Sequence, residues 1–219
     1  MNTNDLIENL ARGLEPAKPL WRPGRRAAVW TLAAAFYVGI LVVAMSMARA
    51  GGADGGTGLW LSQLAAVAMG VLASRAAFAS VVPGASKRAW PWAMFAAAVW
   101  LGTLVFASPW SFDWATVLGA THEWLCVGFI VFGGAPLMVA LAVMLRRGAP
   151  LTPGATAAFA ALAVAGLANV GACLSLPHTN SAVTFAWHGG VVLALVLVAA
   201  LAGHLVFKWS AARPAGGES

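Results

Sequence analysis

Six long apolar stretches set the pattern of this chain, and almost no polar sequence of any size lies between them. They run over Ala27–Ala48, Leu59–Val82, Trp90–Ala107, Trp124–Leu145, Ala155–Leu176 and Val183–Phe207. Each is long enough to cross the roughly 30 Å hydrocarbon layer of a bilayer as a helix. Backbone groups in lipid must pair within the protein, which leaves helices or closed barrels. A barrel would show alternating segments of about ten residues rather than unbroken apolar runs. The pattern therefore predicts an all-α integral membrane protein with six transmembrane helices.

The polar remainder is concentrated in the head, Met1–Arg26. Within it Asn4–Leu14 reads as a short amphipathic helix. Asn4 or Asp5 can cap its start, and Asp5 with Glu8 three positions later has the form of a capping box. Leu6, Ile7, Leu10 and Leu14 line one face. Glu15–Gly24 carries Pro16, Pro19 and Pro23 and cannot continue the helix. Trp21 with Arg22, Arg25 and Arg26 marks the membrane surface. The chain thus divides into a head and linker (1–26), a six-helix membrane domain (27–207) and a short tail (208–219). The connections are brief. The longest, Ser108–Glu123, has room for a short helix, and Gly133-Gly134-Ala135-Pro136 is a candidate kink in the fourth span.

Composition agrees with the pattern: of 219 residues 61% are hydrophobic and 9% charged, where a soluble domain carries about 25% charged residues. The net charge of +6 raises nucleic acid as a partner, but the placement of the charges explains it without one. With the head in the cytoplasm, Arg12, Lys18, Arg22, Arg25, Arg26, Lys87, Arg88, Arg146, Arg147, Lys208 and Arg213 all fall inside, and Arg49 falls outside. The positive-inside rule then gives N-in and C-in, and the basic balance serves topology and anionic lipid. Asp5, Glu8, Arg12 and Glu15 interrupt the first 20 residues, so no cleavable signal peptide is expected and the first span acts as a signal anchor.

Chemistry-bearing residues are few. Cys126, near the outer end of the fourth span, and Cys173, near the outer end of the fifth, fall at similar depth if those spans are antiparallel neighbours. They fit either a disulfide or redox-sensitive dithiol or two small side chains used in packing. His122, His178 and His188 are weak candidates for a metal site with the thiols, and no spacing among them is diagnostic. A single helix of about ten residues is marginal alone in water. The head helix therefore needs a cover for its apolar face, either the bilayer or a groove on a soluble partner. Asp5, Glu8 and Glu15 would be repelled by an anionic bilayer, which favours a protein partner. No nucleotide-binding loop, HExxH or nucleophile elbow is present. The sequence predicts neither an enzyme nor a cofactor.

Several pieces in order resemble the NrsF-like family of bacterial membrane-bound anti-sigma factors, negative regulators of extracytoplasmic-function (ECF) sigma factors. They are Thr3-Asn4-Asp5-Leu6-Ile7 with Leu10 and a Pro-rich stretch, and Val82-Pro83-Gly84. Glu123-Trp124-x-Cys126 and Leu145-Arg146-Arg147-Gly148-Ala149-Pro150-Leu151 follow. Last come Cys173, Pro177-His178, Ser181 and Trp187-His188. The resemblance implies an inner-membrane protein whose cytoplasmic head holds an ECF sigma factor away from RNA polymerase. Carried onto this chain, the binding residues are Asp5, Leu6, Ile7 and Leu10, with Leu14 as an extension. It also associates Cys126 and Cys173 with a response to thiol-reactive or oxidative stress. Two other classes remain open. A small transporter or channel component would use Asn169, Ser175, Thr184 and His188 along a polar path. A membrane thiol oxidoreductase would use the cysteine pair.

Overall fold

A computed structural model describes residues 2–12, 21–48, 57–106, 113–119, 123–148, 150–176 and 181–207. The described residues are helical with short connections, and no strand occurs among them. Helix α1 (Thr3–Arg12) is the head helix. Helices α2 (Pro23–Ala48), α3 (Thr57–Ser80) and α4 (Ala89–Phe106) follow. A short helix, α5 (Trp114–Gly119), lies in the long connection. The next stretch is α6 (Glu123–Gly128), a π-helical turn at Phe129–Gly133, and α7 (Gly134–Arg146). Then come α8 (Pro153–Ser175), α9 (Ser181–Thr184), a second π-helical turn at Phe185–Gly189, and α10 (Gly190–Val206).

Local chemistry accounts for several boundaries. Helix α2 begins at Pro23, ahead of the expected Ala27; proline suits a first helical position because its fixed φ is already helical and its missing N–H has no partner there. Between α3 and α4 the Ala85 N–H donates to Val82 O at 3.1 Å, and Gly84 takes φ +76°. Pro83 and Gly84 thus fill the two central positions of a type II turn, where positive φ excludes most side chains. The kink expected around Gly133–Pro136 takes the form of a widened turn. Pro136 has no N–H to offer the carbonyl of Phe132, and the π-helical Phe129–Gly133 lies just ahead of it.

Five helical stretches are long and apolar enough to cross a membrane: Pro23–Ala48, Trp60–Ser80, Trp124–Arg146, Pro153–Ser175 and Ala182–Val206. Ala89–Val105 is apolar but shorter. The core is organised around α8, which packs against α2, α3, α7 and α10. Of its most apolar stretch 83% is buried, against 17% for α2, so α8 is the central helix. Its small residues permit this. A Cβ on Gly166 would stand 2.9 Å from Ala66 O and 3.1 Å from Gly70 N, so the α3 and α8 backbones touch. Large apolar side chains face outward instead, among them Leu32, Phe36, Met47, Phe132 and Leu201. Exposed apolar surface of this kind suits lipid, which solvates it as well as a protein core does.

The two ends of the bundle differ. At one end, Arg26 is buried, its guanidinium donates to Met144 O and lies over the Phe78 ring at 4.8 Å. Arg146 Nε–H donates to Val206 O at 3.1 Å. Cations thus cap the carbonyl ends of α7 and α10, where the backbone dipoles favour positive charge. The hydroxyls of Ser80 and Thr156 join α3 to α8 at 2.8 Å. Arg26 was expected at the membrane surface with Arg22 and Arg25; the bond to Met144 and the Phe78 ring draw it inside, while Arg25 stays exposed over Trp21 at 4.2 Å. This is the basic end. The opposite end holds both cysteines.

Candidate functional site

Cys173 sits two residues before the end of α8 and Asn169 one turn earlier, so their side chains share a face. His188 reaches them from the π-helical turn Phe185–Gly189. Its Nδ1 lies 2.5 Å from Asn169 Oδ1 and 3.8 Å from Cys173 Sγ. All three side chains are buried to within 1% of full enclosure. The amide oxygen can only accept, so the ring nitrogen facing it carries the proton. The same N–H then faces the sulfur as a donor. The short branch of this N–H goes to Asn169 Oδ1 and the long branch to the sulfur. A shared donor of this kind stabilises negative charge developing on sulfur, which is what thiol chemistry with an electrophile requires.

Cys126 is fully buried on α6, which packs against α8 and against the turn carrying His188. No disulfide joins the two cysteines. The same end is tied together by aromatic groups. Trp187 Nε1–H donates to Val117 O of α5 at 2.9 Å. Its ring meets Trp124 of α6 edge-to-face at 4.9 Å. The short helix, the start of α6 and the His188 turn are thereby held as one unit.

The fold brings Cys173 and His188 into contact and adds Asn169, which sequence reasoning had placed only on a possible polar path. The i, i+4 spacing of Asn169 and Cys173 was the available signal. Thr184 and Asn169 are buried within the bundle, and Ser175 is partly buried. His122, His178 and Leu14 lie outside the described residues. Among the described residues no group of three or more His, Cys, Asp or Glu gathers where a metal ion could be held.

The head residues stand apart from this cluster. Asp5 Oδ2 accepts from the Asn2 backbone N–H at 3.3 Å. With α1 starting at Thr3, Asp5 is the third helical residue reaching back to its cap, one half of a capping box. The expected pairing of Asp5 with Glu8 is thus shifted by one turn toward the terminus. Ile7 is 59% exposed. Leu6 and Leu10 belong to the same helix.

Fold and site together define a multi-pass helical membrane protein with a buried thiol–imidazole–amide cluster at one end and a short capped head helix. The chain matches the NrsF family, described as negative regulator of sigma F, over residues 10–209, and it belongs to that family. Negative regulation of a sigma factor is therefore its class of activity, and a sigma factor its class of partner. The matched range includes Leu10, Leu14, Cys126, Cys173 and His188, while Asp5, Leu6 and Ile7 precede it. No curated protein and no solved structure matches the chain.

Proposed function

We propose that this protein holds an ECF sigma factor at the cytoplasmic face of a bacterial inner membrane and gives it up when a stress acts on Cys126 and Cys173 at the outer face. The observation that carries the reading is α1, a capped helix outside the apolar bundle with Ile7 largely exposed. A helix this short gains stability mainly from whatever covers its apolar face. Asp5, Leu6, Ile7 and Leu10, with Leu14, supply the sigma-binding face. The topology in this reading has six spans with both termini inside. The distribution of charge supports it, because Arg22, Arg25, Lys87, Arg88, Arg146 and Arg147 cluster at the loops and helix ends of one side.

The thiols report to the head through packing. A signal changes sigma affinity only to the extent that it stabilises one arrangement of the bundle over another. The test is co-purification of the full-length protein with its sigma factor. Ile7→Asp, a surface change in α1, is expected to abolish capture while membrane insertion stays at the parental level. Undiminished capture by Ile7→Asp would remove the head from the mechanism. In cells, Cys126→Ser with Cys173→Ser is expected to blunt induction by thiol oxidants; a full response in that double variant ends the sensing reading.

A further inference from the structure

We propose that His188, held in place by Asn169, is the positioning residue that gives Cys173 its reactivity. The proposal rests on the reading of Cys126 and Cys173 as sensing thiols, and it names the group that prepares one of them. Asn169 Oδ1, Cys173 Sγ and the His188 ring meet at a single nitrogen, Nδ1, at 2.5 Å and 3.8 Å. Because an amide oxygen has no proton to give, Nδ1 carries one and has no lone pair toward the sulfur. His188 therefore does not take the thiol proton through this nitrogen. It donates an N–H toward the sulfur and stabilises charge as it forms.

The arrangement differs from a nucleophile–histidine–amide relay, in which nucleophile and amide bind opposite ring nitrogens and the ring acts as a base. It also answers a problem of location. Cys173 is 1% exposed and its surroundings exclude bulk solvent. A sulfur acquiring charge there must find fixed dipoles in place of water. The Nδ1–H, shared between Asn169 Oδ1 and the sulfur, supplies one, and the Asn169 contact holds the ring in place. The π-helical turn matters here too: such turns are frequent at functional sites, and this one presents His188 inward from a largely apolar span.

The experiment uses the full chain in lipid nanodiscs in a Cys126→Ser background, which leaves one cysteine of the two. Iodoacetamide is the probe. The Cys173 sulfur forms a bond to the reagent's carbon, iodide leaves, and the thiol proton passes to buffer. Alkylation is followed by intact mass, and each variant's melting temperature is recorded. His188→Leu is expected to slow alkylation by about ten-fold or more, as loss of a fixed donor does elsewhere. His188→Asn places an amide N–H where Nδ1–H stands and is expected to recover most of the rate. Asn169→Leu keeps the ring but releases it, and is expected to fall between the two.

A packing role alone predicts the opposite sign, since loosening the bundle exposes the sulfur and speeds alkylation. A rate that is unchanged or raised in His188→Leu overturns the proposal, as does His188→Asn reacting as slowly as His188→Leu. If His188→Leu does not fold, an unchanged rate in Asn169→Leu overturns it instead. The assay contains no sigma factor, so it is independent of sigma holding. Dependence on His188 in the nanodisc, together with full sigma release in cells lacking both thiols, would leave the proposal standing and end the sensing reading alone.

Discussion

Gly166→Ala should weaken the bundle, although alanine is the better helix former. The new methyl group would stand 2.9 Å from Ala66 O, 3.0 Å from Met69 Cε and 3.1 Å from Gly70 N. Met69 can turn its terminal methyl away. The two backbone atoms can yield only if α3 withdraws from α8 by a few tenths of an ångström along a shared face. Overpacking of this kind costs about 1–3 kcal/mol. Replacing glycine by alanine in a helix interior returns about 1 kcal/mol. Gly39 provides the control, because a Cβ there meets nothing within 4 Å. Gly39→Ala thus carries the helix preference without the clash. The two variants should differ by about 1–3 kcal/mol, which is the clash itself. Reversible unfolding in mixed micelles, titrated with sodium dodecyl sulfate and followed by tryptophan fluorescence, measures that difference. Coincident midpoints for Gly166→Ala and Gly39→Ala would refute the direct contact of the α3 and α8 backbones.

Two further outcomes use the same titration. Arg26→Leu loses the bond to Met144 O and the Phe78 contact and should cost about 1.5–3 kcal/mol, the range for hydrogen bonds to charged groups. Arg25→Leu loses only an exposed stack on Trp21 and should cost about 0.5–1 kcal/mol; equal losses would contradict the burial of Arg26. Trp187→Phe removes the N–H donated to Val117 O and should cost about 0.5–1.5 kcal/mol. It should also raise amide hydrogen exchange across Trp114–Gly119, measured by mass spectrometry. Unchanged exchange there would mean that the indole does not hold α5.

The helical class and multi-pass character were legible because they follow from unbroken apolar runs, a property of the chain alone. The same holds for the Val82-Pro83-Gly84 turn, where proline and glycine each restrict the backbone in a known way. What was not legible depends on how helices meet. Asn169 and Cys173 are visibly one turn apart, but their partner comes from another helix whose rotation is set by the π-helical turn Phe185–Gly189. No proline announces that turn, whereas Pro136 follows the earlier one. Arg26 reads as one of three surface arginines until Met144 O and Phe78 are brought beside it. The cap of α1 was displaced by one turn because Asp5 can serve either as a cap or as the residue reaching back to one, and sequence alone does not separate these.

The buried positions of the thiols bound how strongly they can act if they are the sensors. Cys173 is enclosed on the central helix, which also bonds to α3 at the basic end through Ser80 and Thr156. A close-packed interior responds to a new group by shifting whole elements rather than by deforming smoothly. Modifying Cys173 would break its contact with His188, worth about 0.5–1.5 kcal/mol, and overpack its site by about 1–3 kcal/mol. Moving a two-state equilibrium from 1:99 to 99:1 takes about 5.5 kcal/mol. One modified thiol therefore falls short of a complete switch, and full release needs both sites or a resting ratio that is already less extreme. Reporter expression driven by the released sigma factor measures this. Cys126→Ser should retain a response of reduced amplitude, and each single variant should fall short of the parent. A parental amplitude in Cys126→Ser would mean that one buried sulfur suffices, either because overpacking there exceeds about 1–3 kcal/mol or because the resting ratio is less extreme than 1:99.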